Sequence, residues 1–176
     1  MMTDDWATKI RLLILDVDGV MTDGRVILDA RGEEIKRFHV RDGYGVMRLL
    51  DAGIDVVLIT GRKSKAVEYR AKELGILEIY QGVKEKESLC REVIERKNLI
   101  KDQVCCMGDD LPDLSMFSQV GVSIAVADAA PEVRNAASYV TQRKGGKGAV
   151  REVCEWILKA KEKWPSIAPP RPGQRK

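Results

Sequence analysis

The stretch Ile10-Arg11-Leu12-Leu13-Ile14-Leu15-Asp16-Val17-Asp18-Gly19-Val20 decides the fold. Its apolar half predicts a buried strand, and two carboxylates stand directly at its end, where glycine lets the backbone turn sharply. Open α/β sheets bind ligands at such ends. A carboxylate pair there suits a hard divalent cation, and one of the two can attack phosphorus.

Downstream, strand and helix signals alternate. Val26-Ile27-Leu28, the turn Asp29-Ala30-Arg31-Gly32 and the segment Glu33–Val40 read as a hairpin. Tyr44–Ala52 reads as a short helix stopped by Gly53, and Ile54–Ile59 as an apolar strand. Helical periods follow at Lys63–Leu74, Lys86–Lys97 and Leu111–Ser118, with strands at Ile76–Tyr80, Gln103–Met107 and Gly121–Val126 between and after them. Pro131 opens a further helix, Tyr139-Val140-Thr141 a last strand, and Gly148–Lys163 a closing amphipathic helix. The expected fold is α/β: a Rossmann-like, doubly wound parallel sheet with a small β-hairpin insertion, about 24–40, after the first strand. One domain spans 1–164, and a basic, proline-rich, flexible tail spans 165–176.

Composition narrows the function. The 176 residues are 44% hydrophobic and 32% charged, with a net charge of +3. Lysine and arginine are scattered among acids, so no nucleic-acid stripe is expected. No apolar run is long enough for a bilayer, and the acidic start Thr3-Asp4-Asp5 lacks the apolar core of a signal peptide. Cys90, Cys105, Cys106 and Cys154 form no CxxC pair, and they read as buried thiols of a cytoplasmic protein. The single histidine, His39, leaves no zinc spacing and no Ser-His-Asp triad with a nucleophile elbow.

Four strand ends carry polar residues, and a parallel sheet brings them to one rim. They are Asp16 and Asp18; Thr60-Gly61-Arg62; Lys86, just after Gln81-Gly82; and Gly108-Asp109-Asp110, with Asp113 one turn on. Asp16 is placed as nucleophile and Asp18 as general acid and base. Thr60 and Lys86 are placed on phosphoryl oxygens, and Asp109 with Asp16 on Mg2+. Each piece has a plain structural reading. A lone DxD is often a turn, Thr-Gly-Arg a helix cap, Lys86 a surface charge, and Gly-Asp-Asp-Leu-Pro-Asp a helix start. Their joint order at four successive strand ends argues against all of these at once.

That order resembles the haloacid dehalogenase superfamily, through DVDGV, ITGR, Lys86 and GDDLPD. The longer stretches DVDGVMTDG, FHVRDGYG, ITGRKS, YQGVKEK and GGKGAVREVCEWIL, within Leu13 to Leu158, are similar to its capless phosphatases of lipopolysaccharide sugar synthesis. The resemblance implies hydrolysis of an eight-carbon phosphorylated sugar acid. It implies Mg2+ held by Asp16, the Asp18 carbonyl and Asp109, supported by Asp110 and Asp113. It implies a homotetramer in which the hairpin and neighbouring chains build the substrate pocket. The substrate residues it implies are Asp18, His39, Val40, Arg41, Asp42, Gly43, Gly61, Arg62, Arg70 and Lys86. His39 stands where asparagine is expected. A nine-carbon, sialic-acid-type 9-phosphate is the rival substrate, and Arg62 argues against it because those relatives tend to carry glutamate there. A catalytically dead tetramerisation domain is a rival of another class; Asp16, Asp18, Lys86 and Asp109, all present, argue against it. A signalling receiver is a third, but Thr60, not an aspartate, follows Ile59.

Overall fold

The computed structural model describes residues 5–165. The expected tail, 165–176, lies outside the described residues beyond Pro165. Among the described residues there are eight strands: β1 (Leu12–Leu15), β2 (Ile27–Leu28), β3 (Glu34–Ile35), β4 (Asp55–Ile59), β5 (Glu78–Tyr80), β6 (Val104–Gly108), β7 (Val122–Ala125) and β8 (Tyr139–Val140). Seven α-helices accompany them: α1 (Asp5–Lys9), α2 (Val40–Asp51), α3 (Lys65–Leu74), α4 (Lys86–Arg96), α5 (Leu114–Phe117), α6 (Pro131–Ala136) and α7 (Ala149–Ala160).

Six strands form one parallel sheet of order β5-β4-β1-β6-β7-β8. All four residues of β1 are fully buried, as is expected of a strand covered on both faces. Strand β1 is central, paired with β4 on one side and β6 on the other. The chain first winds outward to β5 and then returns past β1 to β6, so the strand order reverses beside β1. That reversal is the switch point where doubly wound sheets open a crevice. Helices α1, α2, α3 and α7 pack into one group and α4, α5 and α6 into another, the two layers of a doubly wound sheet.

Element types follow the sequence closely, and the differences have local causes. Helix α2 begins at Val40 rather than Tyr44, running through Gly43 and Gly45. Both glycines are sites of close approach. A Cβ on Gly43 would lie 2.1 Å from Arg70 Nη2, and one on Gly45 3.0 Å from Cys154 Cβ. The hairpin is real but its strands are two residues each, because no third strand extends the ladder. Its turn is held by the Asp29 carboxylate, which accepts from the backbone N–H of Arg31 at 2.8 Å and of Glu33 at 2.9 Å. Leu111–Asp113 is a single 3-10 turn before α5 rather than part of one helix. Helix α1 is too short to show a period in sequence; Trp6 docks it against Tyr139 and Trp156, with ring centroids 5.2 and 6.5 Å away. All four cysteines are buried free thiols. Among the described residues, no helix is long and apolar enough to cross a membrane.

The glycine loop before α7 presses on the loop after β1. Gly146 N–H donates to the Val20 carbonyl at 2.9 Å, and Gly145 N–H to Asp128 Oδ1 at 2.9 Å. A Cβ on Gly145 would lie 1.6 Å from the Gly19 carbonyl oxygen, backbone against side chain with no room to yield. Gly145→Ala is expected to cost about 1–3 kcal/mol, the range for overpacking. Thermal or urea unfolding measures it, and an unchanged midpoint would show that the two loops are not packed as described.

Candidate active site

The backbone sets the site before any side chain does. Asp16 extends β1, its N–H bonded to the Met107 carbonyl of β6 at 3.2 Å. Thr60 follows β4 in the same way, donating to Tyr80 of β5 at 2.9 Å and accepting from Val83 N–H at 3.1 Å. Asp109 ends β6, and its carbonyl accepts from Ala130 N–H at 2.8 Å. Lys86 is the first residue of α4, and its long side chain turns inward from the helix surface.

These ends line one cavity of about 380 Å3. Asp16, Asp18, Thr60, Gly61, Arg62, Lys86, Asp109, Asp110 and Asp113, all named from the sequence, contribute to its wall. Lys86 Nζ donates to Asp16 Oδ1 and to Asp113 Oδ1, each at 2.7 Å. Asp16, Lys86 and Asp113 are all buried, with Thr60 beside them. Asp113 is further committed: its Oδ2 accepts from the N–H groups of Asp109 at 2.9 Å and Asp110 at 3.3 Å. Asp110 caps the following turn by accepting from Leu111 N–H at 2.8 Å.

The acids crowd one another. Carboxylate oxygens of Asp16, Asp109 and Asp113 lie within 4.8 Å of each other. Burial and the Asp113 charge push the Asp16 carboxyl up to about 7, against the opposing pull of Lys86. Burial, then the charges of Asp16 and Asp113, push Asp109 up to about 8. For Lys86, burial acts downward, but the two carboxylates outweigh it and hold the ammonium charged. One lysine cannot balance two buried acids and a third, half-buried one beside them. With Asp113 occupied by Lys86 and two backbone donors, Asp16 and Asp109 are the carboxylates left for a cation. A hard, all-oxygen donor set of this kind fits Mg2+.

Asp18 sits at the edge of this cluster. Its Oδ1 pairs with Lys36 of the hairpin, and its Oδ2 is buried with no hydrogen-bond partner among the described residues. Glu34, two residues before Lys36, lies 3.3 Å from that ammonium and 2.7 Å from Arg62 Nη2. Burial pushes the Glu34 carboxyl up, yet Arg62 and Lys36 prevail and hold it below its ordinary value. Neither Glu34 nor Lys36 was named from the sequence. The available signal was their i, i+2 spacing in a strand, which puts both on one face of the hairpin.

The remaining predicted residues gather elsewhere. His39, Val40, Arg41, Asp42 and Gly43 form the start of α2, and Arg70 packs beside Gly43. None of these six lines the cavity of Asp16. Asp42 points inward and accepts from Arg151 N–H at 2.7 Å and Gly148 N–H at 3.3 Å, tying α2 to the start of α7. Arg70 pairs with Glu73 at 2.6 Å and lies over the Phe38 ring at 5.9 Å. His39 and Arg41 face a second, larger cleft of about 560 Å3. That cleft has no acid pair free for phosphoryl chemistry. Glu152 accepts from the N–H groups of Gln142 and Arg143, and Glu155 pairs with Arg151 and Lys159.

Known proteins match this chain along most of its length. A family profile described as haloacid dehalogenase-like hydrolase matches residues 74–153. The 3-deoxy-D-manno-octulosonate 8-phosphate phosphatase KdsC of Yersinia pestis is 51% identical over 157 residues, covering 89% of this chain and 84% of that protein. A crystal structure of the phosphatase of that name from Yersinia pestis superposes with a TM-score of 0.89 at 50% identity, covering 91% of this chain and 86% of the other. The Moraxella catarrhalis phosphatase, solved with magnesium ion, phosphate ion and KDO, superposes with a TM-score of 0.86 at 41% identity, covering 89% and 90%.

The crowding has a measurable consequence. Because Asp16 and Asp109 hold their protons more tightly folded than at the ordinary value of 3.8, their contribution to stability is present below that value and is lost as pH rises through about 7 and 8. The metal-free protein is therefore expected to melt at lower temperature at pH 8.5 than at pH 6. Asp109→Asn should flatten that slope, and Mg2+ should raise the melting temperature more at pH 8.5 than at pH 6. Parallel melting curves for wild type and Asp109→Asn would refute the assignment.

Proposed function

Since the chain belongs to the haloacid dehalogenase-like hydrolases, and among them to the 3-deoxy-D-manno-octulosonate 8-phosphate phosphatases, it is a phosphatase of that sugar's pathway, and we propose that it works through an aspartyl-phosphate on Asp16 with Mg2+. The observation that carries the mechanism is the buried Asp16–Lys86 pair at 2.7 Å beside Asp18, whose Oδ2 has no hydrogen-bond partner among the described residues. The substrate is 3-deoxy-D-manno-octulosonate 8-phosphate, released as the free sugar acid and phosphate, by likeness to the named relatives.

Lys86 holds Asp16 Oδ1, which orients the carboxylate for attack by its other oxygen and favours the ionised form against the pull of burial and Asp113. As the Asp16 oxygen bonds to phosphorus, the ester P–O bond breaks, and Asp18 gives its proton to the leaving alkoxide. Asp18, now a carboxylate, takes a proton from water, which displaces Asp16 from phosphorus and returns both residues to their starting state. Thr60 and Lys86 offer donors to the phosphoryl oxygens throughout. Asp16 and Asp109 would hold Mg2+, with the Asp18 carbonyl, Asp110 and Asp113 supporting, and the bound ion would supply positive charge against the repulsion between these carboxylates and a phosphate dianion.

The assembly we infer is a homotetramer in the cytoplasm, with His39, Val40, Arg41 and Arg70 meeting the substrate of a neighbouring chain and the buried Asp42 and Gly43 holding that end of α2 in place. Two observations support it: those residues stand apart from the chain's own cavity, and the hairpin leaves the large apolar side chains of Val26, Leu28 and Ile35 exposed. Sedimentation equilibrium should give a mass of four chains, and Leu28→Asp with Ile35→Asp should reduce it. A monomer at micromolar concentration would reject the assembly.

Phosphate release tests the reaction. The eight-carbon 8-phosphate should be cleaved in preference to nine-carbon 9-phosphates, with Mg2+ and not with EDTA. Asp16→Asn should lower kcat by about 10^3-fold or more, as loss of a nucleophile does. Preference for nine-carbon esters would keep the chemistry and change the substrate. A folded protein that releases phosphate from neither would overturn the reading in favour of a structural role.

A further inference from the structure

The hairpin contributes to the site through charge. Asp18, Lys36, Glu34 and Arg62 alternate in sign along one line of contacts, each pair within ion-pair distance. The Lys36 side chain is only 1% exposed and that of Glu34 13%, whereas Arg62 is about half exposed at 49%. The two inner members are thus enclosed, and the outer one reaches into the mouth of the cavity. A mobile arginine at a solvent-facing rim loses rotamer entropy when it binds; one already bonded has lost part of it beforehand. Its planar fork offers five N–H donors, so a bond from Nη2 to Glu34 leaves others for a ligand.

We propose that Glu34 is a positioning residue for substrate recognition: anchored by Lys36 to Asp18, it holds the Arg62 guanidinium at the cavity mouth for the carboxylate of the sugar acid. The proposal rests on the phosphatase reading above. It makes the hairpin part of the specificity apparatus of its own chain. Recognition of the acid end of the substrate is then separable from chemistry at phosphorus, since Glu34 touches neither Asp16 nor Lys86 in the contacts described.

The test compares 3-deoxy-D-manno-octulosonate 8-phosphate with 4-nitrophenyl phosphate, which has no carboxylate. Glu34→Gln should raise KM for the sugar acid ester about tenfold, the scale of one charge-assisted hydrogen bond, with kcat held within about twofold. The kcat/KM ratio between the two esters should fall by the same factor. The double variant Glu34→Gln with Arg62→Gln should be no worse on the sugar acid than Arg62→Gln alone, because the two residues act through one contact. Equal losses on both esters would mark Glu34 as merely structural and overturn the proposal. Additive losses in the double variant would do the same. If wild type cleaves both esters and Glu34→Gln behaves as wild type, the proposal falls alone. If wild type cleaves neither, the phosphatase reading falls and takes the proposal with it.

Discussion

Crowding carboxylates into a buried space is the constraint to which the rest of this molecule answers. Asp16, Asp109 and Asp113 meet at the switch point of the sheet, where burial makes like charges repel more strongly than in water. Lys86 is the one buried cation between Asp16 and Asp113, and removing a partner from such a cluster is costly. Its place at the first turn of α4 is unfavourable for a helix dipole, so the acids must justify it. The remaining imbalance is one that a divalent cation would relieve.

The sheet supplies the geometry that makes this tolerable. Parallel strands end on the same rim, and β1 lies between β4 and β6, so three strand ends face one another without any long loop. Two of the backbone positions that carry the site are bonded to a neighbouring strand: Asp16 to Met107, Thr60 to Tyr80. Side chains fixed in this way need little reorganisation when charge moves during reaction.

Much of this was legible in the chain. Apolar runs ending in Asp16, Thr60 and Asp109 gave away the strands and the rim together, because strand type and site position come from the same short segments. Lys86 was legible only by its order among them. The ion pairs of the hairpin were not. Glu34 and Lys36 look like ordinary surface charges of a turn, and only folding shows that they lie on Asp18 and Arg62. The structural work of Asp42 was hidden too: its carboxylate binds backbone N–H groups of Gly148 and Arg151, far along the chain, which no local pattern reveals. The start of α2 was hidden by Gly43 and Gly45, which look like breakers and serve as points of close packing.

The contact between Gly145-Gly146 and the loop Gly19–Asp23 joins segments more than 120 residues apart. During synthesis the DVDGV segment leaves the ribosome well before the loop that supports it. Strand β1 likewise waits for both β4 and β6 before it is enclosed. The loop that carries Asp16 and Asp18 therefore has no native seat until Gly145 and Gly146 have emerged. A nascent chain short of that point would carry the two aspartates without the arrangement that crowds and orients them, so whatever chemistry rests on that arrangement arrives only after the glycine loop has folded back.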